Sequence, residues 1–177
     1  MPELLTSRLL LRPPAAEDFE AWAGFMADPQ AARFVGGVQP RASAWRGFMC
    51  MAGAWQLQGY AMFSVIERSS GAWIGRVGPW QPEGWPGTEV GWGLLPAFQG
   101  RGYALEAASA SIDWAFEALG WQEVIHCIDP ANRPSQRLAE RLGAHNDGAG
   151  RLPPPFEDAP IEVWRQRRSR WQARPRD

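Results

Sequence analysis

Residues 89–106 read Glu-Val-Gly-Trp-Gly-Leu-Leu-Pro-Ala-Phe-Gln-Gly-Arg-Gly-Tyr-Ala-Leu-Glu. The segment joins an apolar strand, expected over 88–95 and stopped by Pro96, to a long helix expected over 102–119. In that helix Leu105, Ala108, Ile112, Ala115, Phe116 and Leu119 keep helical spacing, and Gly120 suits its C-terminal stop. Gly100 and Gly102 let the connecting backbone turn without interference from Cβ atoms. A helix N-terminus behind such a turn offers unpaired N–H donors and the positive end of a dipole. An anion fits there, most naturally a pyrophosphate, with Arg101 adding charge at the rim. Leu105 stands where a third glycine would complete a dinucleotide fingerprint, and no run of βαβ units surrounds it, so a dinucleotide site is a weak reading.

Composition removes several other phosphate chemistries. The chain has 177 residues and a net charge of −1, and all 18 of its basic Lys/Arg residues are Arg. Without lysine there is no P-loop cation, no Schiff base and no kinase strand lysine. Two Cys and two His give neither a C-x-x-C pair nor the spacing of a zinc site, so no metal is expected. A pI near 6.1 argues against nucleic acid as a partner. The N-terminus lacks the pattern of a signal peptide, and no apolar run is long enough for a membrane span. A cytoplasmic protein without membrane attachment is the expectation.

Outward from the central segment, strands are expected over 8–13, 60–67, 72–77, 122–128 and 161–164, and helices over 16–27, 42–58 and 133–142. Residues 78–87, with three Pro and two Trp, read as a loop. On the second helix Trp45, Phe48, Met49, Ala52 and Trp55 form the expected apolar side. Three consecutive strands suggest an antiparallel meander, and the strand–helix–strand unit from 88 to 128 requires a parallel crossover. The fold class is α/β (α+β): a single mixed, mostly antiparallel sheet of six to seven strands with helices on both faces. One domain is expected over 1–164, followed by an Arg-rich C-terminal extension over 165–177 that holds six Arg in the 12 residues from 165 to 176.

Four motifs in order carry a family resemblance. Gln99-Gly-Arg-Gly-Tyr-Ala104 fits the Q/R-x-x-G-x-G/A pattern of the GNAT superfamily of acyl-CoA-dependent N-acetyltransferases. Asn132-Arg-Pro-Ser135, followed by a short helix ending Leu142-Gly143, resembles the second signature of the branch that acetylates ribosomal-protein N-termini. Residues 4–12 (Leu-Leu-Thr-Ser-Arg-Leu-Leu-Leu-Arg) resemble that branch's first strand, and Glu89-Val-Gly-Trp92 also looks like it. The resemblance covers most of the chain and implies the acyl-CoA N-acyltransferase fold, with acetyl-CoA as acetyl donor. The implied reaction moves acetyl to a primary amine, on a small molecule or a protein N-terminus, by direct attack. A homodimer is compatible with it. A non-catalytic acyl-CoA-binding or sensing module on the same fold is the rival reading.

The resemblance also assigns roles. Backbone amides of Gln99, Gly100, Arg101, Gly102, Tyr103 and Ala104 would hold the CoA pyrophosphate. The strand backbone at Trp92 and Leu94 would pair with pantetheine. Asn132 would bond the pantetheine arm, although Asn is equally a preferred helix N-cap. Ser135 would protonate the departing thiolate, and Arg137 would reach a CoA phosphate. Many family members use a Tyr for the thiolate, but Tyr60 and Tyr103 lie off the second signature's helix. For the base that takes the amine's proton, Glu89 is the candidate, because a Glu in an apolar strand is costly unless it faces a cleft or partner. His126 is second, with a buried, hydrogen-bonded core residue as its plainer account. Cys127 reads as a small buried hydrophobe. The loops at 34–46 and 78–87 are expected to shape the acceptor side, with Trp80, Trp85 and Trp92 as its wall.

Overall fold

A computed structural model describes residues 2–174. The chain runs β1 (Leu4–Leu5), β2 (Leu9–Arg12), α1 (Phe19–Ala27), α2 (Pro29–Ala32), α3 (Arg41–Leu57), β3 (Phe63–Glu67), β4 (Trp73–Trp80), β5 (Glu89–Leu94), α4 (Tyr103–Glu117), β6 (Glu123–Ile128), α5 (Arg133–Arg141), β7 (His145–Gly150), β8 (Ile161–Arg167) and α6 (Arg168–Gln172). One sheet forms, in the order β1-β2-β3-β4-β5-β6-β8-β7. Every pairing is antiparallel except β5 with β6.

The sheet is mixed and mostly antiparallel as expected, but it has eight strands rather than six or seven. The opening motif folds as two strands joined by a turn. Strand β7 is polar and exposed along most of its length, so it shows none of the apolar alternation that announces a strand. Helices cover both faces. On β3, Ser64 reaches Asp18 beside α1 at 2.7 Å, while its neighbour Phe63 packs on Trp114 of α4. Adjacent side chains on a strand point to opposite faces, which places α1 and α4 on opposite sides.

Two expectations shift. The buried side of α3 is Ala44, Phe48, Met51 and Trp55, whereas Trp45 and Met49 are about half exposed. Trp22 of α1 donates its indole N–H to the Ala44 carbonyl and packs on Phe48, so that side of α3 faces α1. The loop expected from residue 78 begins later, since Gly78, Pro79 and Trp80 complete β4 opposite Gly91, Val90 and Glu89.

The last strand does not stop at Trp164. It runs to Arg167, pairing throughout with β6, and α6 follows. Residues 165–172 of the Arg-rich segment are therefore built into the sheet and its packing, and residues 175–177 lie outside the described part. Arg165 bridges Asp147 and Glu123 across the strands. Trp171 is buried, packs against Phe116 and donates to Asp113 at 2.6 Å. Among the described residues no helix is long and apolar enough to cross a membrane. Because Trp171 closes the α4 side of the core, Trp171→Ala is expected to lower stability by about 3–5 kcal/mol in urea unfolding. An unchanged midpoint would mean the segment only rests on the surface.

Candidate active site

The site forms where β5 and β6 part. These strands share one register pair, Glu89 with Ile125, supported by the Ile125 N–H on the Thr88 carbonyl. Beyond it the strands diverge, and side chains replace the ladder. The Glu89 carboxylate accepts from the Cys127 N–H at 3.1 Å. The His126 Nδ1 lies 2.6 Å from the Val90 carbonyl. A carbonyl only accepts, so Nδ1 carries the proton. Gln166 then donates its side-chain N–H to Nε2 at 3.3 Å.

The Val90 carbonyl thus points toward β6. Backbone direction alternates along a strand, so Trp92 and Leu94 present N–H and C=O on the same edge, past the point where β6 has turned away. This open edge faces a cleft of about 640 Å³ lined by Trp92, Leu94, Gln99, Gly100, Gly102, Ala104, Asn132, Ser135 and Arg137, with Arg33 and Arg141 adding positive charge. At its mouth is the glycine turn. Gly100 and Gly102 have φ of 73° and 82°, left-handed values that favour glycine and let successive N–H groups point outward. The turn is braced from two sides: Gln99 donates to the Leu94 carbonyl at 2.9 Å, and Arg8 donates to the Arg101 carbonyl at 2.9 Å. Arg8 is itself tied to Glu106 in the first turn of α4. Tyr103 is buried beneath, its hydroxyl donating to Glu67.

A second cavity of about 500 Å³ adjoins the first and shares Trp92, Asn132 and Ser135 with it. Its walls include Phe34, Trp80, Trp85 and Phe156, and its floor holds Arg76, Glu89 and Gly91. The loop at 34–37, Trp80 at the end of β4, Trp85 in the loop after it, and Leu152, Phe156, Ala159 and Pro160 on either side of Pro153-Pro154-Pro155 thus border it. Asn132 caps α5 by accepting the Ser135 N–H at 3.2 Å while lining both cavities. Ser135 Oγ accepts from the Trp92 indole at 3.1 Å, which leaves its own proton available to donate. Neither tyrosine lines either cavity.

The titratable groups differ sharply. Burial pushes the Glu89 carboxyl up to about 7, against hydrogen bonds from Cys127 and from the Trp85 indole at 2.5 Å. Burial drives His126 down to about 4, with the Val90 bond opposing. His126 is therefore neutral and fully engaged, a structural residue rather than a base. The Cys127 thiol is raised by burial and by the adjacent Glu89 charge, which suits an inert side chain. Arg76 is the residue that the sequence reading passed over. Burial lowers its pKa to about 10, the Glu89 charge opposing, so it stays cationic at neutral pH. No cluster of three His, Cys, Asp or Glu side chains among the described residues is arranged to hold a metal.

Residues 8–145 match the family model of the acetyltransferase (GNAT) domain, and the chain belongs to that family. It superposes on the acetyltransferase of Agrobacterium tumefaciens strain C58 with a TM-score of 0.83 and 36% identity over 95% of both chains. It is 29% identical over 152 residues to the uncharacterized N-acetyltransferase p20 of Bacillus licheniformis, covering 84% of this chain and 85% of that one. It is 33% identical over 86 residues to the uncharacterized N-acetyltransferase YnaD of Bacillus subtilis. That match takes in 49% of this chain and spans about half (51%) of the relative's length.

Glu89 and His126 impose opposite pH dependences on stability. The raised Glu89 pKa gives stability present below its ordinary 4.5 and lost as pH rises through about 7. The lowered His126 pKa gives stability present above its ordinary 6.5 and lost as pH falls through about 4. Between pH 4.5 and 6.5 the two slopes offset one another. Glu89→Gln is expected to unmask a melting temperature that rises across this window relative to wild type, and His126→Gln one that falls. Profiles parallel to wild type would show that neither group is buried as described.

Proposed function

We propose that the protein transfers an acetyl group from acetyl-CoA to a primary amine by direct attack. The observation that carries this reading is the junction of the two cavities. There the open edge of β5, a serine hydroxyl and a carboxyl with a pKa near 7 face one space.

The residues present fit acetyl-CoA. The positive-φ glycines and the N-terminus of α4 suit a pyrophosphate held by backbone amides. The N–H groups of Trp92 and Leu94 and the Trp92 carbonyl suit the pantetheine amides, which would pair like an added strand. Arg137 stands at the same cleft for a further phosphate. Asn132 serves the pantetheine arm while also capping α5. When bound, acetyl-CoA supplies a thioester carbonyl that an uncharged amine attacks, with a thiolate leaving.

The chain's own residues then handle two protons. Glu89 accepts the proton that the amine must lose, directly or through one water, and its raised pKa matches that task near neutral pH. Ser135 Oγ, oriented by the Trp92 indole, donates toward the departing sulfur. The aromatic walls of the second cavity exclude water from the amine. The narrower likeness to enzymes acting on ribosomal-protein N-termini rests on the motifs at residues 4–12 and 132–143, and a peptide N-terminus is one acceptor to be tried beside small amines.

The test is a thiol-release assay with acetyl-CoA across an amine panel. In wild type kcat/KM is expected to rise with pH through about 7. Glu89→Gln is expected to lose that limb and roughly 10²–10⁴ in rate at pH 8. A retained limb would remove Glu89 from the mechanism. Gly100→Val, forced to φ near 73°, is expected to raise KM for acetyl-CoA about tenfold or more while leaving the fold intact. An unchanged KM would place the pyrophosphate elsewhere.

A further inference from the structure

Arg76 lies at the centre of β4, a strand that otherwise reads Trp-Ile-Gly-Arg-Val-Gly-Pro-Trp with no other charge. In register it stands opposite Gly93. The next same-face pairs along the strands are Gly78 with Gly91 and Trp80 with Glu89. Arg76 and Glu89 therefore share one face, separated by a pair of glycines. The Met62 side chain lies over one of these glycines, where a Cβ on Gly91 would meet its methyl at 2.6 Å, and its flexible end borders the same cavity. Both charged residues line the acceptor cavity, and Arg76 is absent from the lining of the CoA cleft.

The partners of this guanidinium are poor. It stacks 5.0 Å from the Trp22 ring and makes a 3.4 Å contact from Nη1 to the Met62 sulfur, a weak acceptor. Its Nε is buried and has no hydrogen-bond partner. Among the described residues no carboxylate lies within ion-pair distance of it, whereas Arg8, Arg12, Arg41 and Arg165 each hold one. A half-buried cation with no carboxylate at ion-pair distance costs stability that an apolar side chain would not. An incoming anion would offset that cost, and a guanidinium fork suits a planar carboxylate.

We propose that Arg76 binds a carboxylate carried by the acceptor, so that the substrate is a small amino-acid-type molecule whose amine faces Glu89 and whose apolar or aromatic remainder packs among Trp80, Trp85 and Phe156. The proposal rests on reading this cavity as the acceptor side of an acetyl-transfer site. A single arginine beside a carboxyl group matches a singly charged anion better than a phosphate dianion. The two fixed charges then mirror the ammonium and carboxylate of a zwitterion.

The experiment compares amino acids with their carboxamides as matched pairs: phenylalanine, tryptophan and methionine against phenylalaninamide, tryptophanamide and methioninamide. Wild-type kcat/KM is expected to favour the acids by about tenfold or more. Arg76→Gln is expected to bring that ratio close to one, and Arg76→Lys to retain part of it. A wild type that uses amides equally well, or an Arg76→Gln that lowers both members alike, overturns the proposal. A second readout does not need turnover: N-acetylphenylalanine and its amide are titrated while tryptophan fluorescence is followed. Arg76→Gln is expected to weaken the acid's Kd about tenfold or more and the amide's by less than twofold. If no amine is acetylated, the acetyl-transfer reading falls, and this titration alone decides Arg76. Binding of the acid that Arg76→Gln leaves unchanged, or no binding by wild type, overturns the proposal. Thermal unfolding verifies each variant's fold, with Arg76→Met as the apolar alternative should Gln fail to fold.

Discussion

Where the ladder between β5 and β6 ends, the Glu89 carboxylate takes the Cys127 N–H. A buried N–H left without an acceptor would cost about 1–3 kcal/mol, and two diverging strands offer no carbonyl to meet it. A side chain therefore stands in for backbone at the point of divergence. The substitution works because Glu89 is buried and also receives the Trp85 indole, and because His126 closes the same gap from the other strand onto Val90. Every later feature depends on this parting. Without it Trp92 and Leu94 would be paired by β6, the cleft would be closed, and α5 could not bring Ser135 against Trp92.

The same bond tunes the chemistry. A carboxyl that supports structure is usually held ionised by its partners, with a low pKa. Here burial outweighs the donors and leaves Glu89 near neutrality. Structural role and proton-accepting role thus fall on one side chain, and ionisation works against folding over much of the working pH range. Arg76, also covered and poorly partnered, adds a second such cost on the same face. A charged pair held short of ion-pair distance on one wall of one cavity marks a surface arranged for a ligand rather than for stability alone.

Much of this was legible in the sequence. The glycine turn and α4 announce themselves through spacing, and the turn's geometry follows from glycine's freedom at Gly100 and Gly102. Glu89 stands out because a carboxylate in an apolar strand needs a reason. Arg76 carries the same signal in β4, but arginine's long apolar stem reaches solvent from many strand positions, so only the three-dimensional register aims it into the cavity. His126 had two readings in sequence; the bonds to Val90 and Gln166 select the structural one. Strand β7 was invisible because its Asn, Asp and Gly residues carry no period, and it forms by pairing with β8, tied by Arg165 to Asp147. The Arg-rich segment reads as a solvated tail by composition, yet Gln166 and Trp171 within it are buried.

Acetyl-CoA is expected to occupy the parting of β5 and β6 with its pyrophosphate on the glycine turn. Amide hydrogen exchange with and without saturating acetyl-CoA measures this directly. Protection is expected at the N–H groups of Trp92 and Leu94 and at residues 100–104, where amides would gain acceptors from the ligand, with little change in β1 or β7. Binding that leaves those amides unprotected, or protects a different edge of the sheet, would contradict the account.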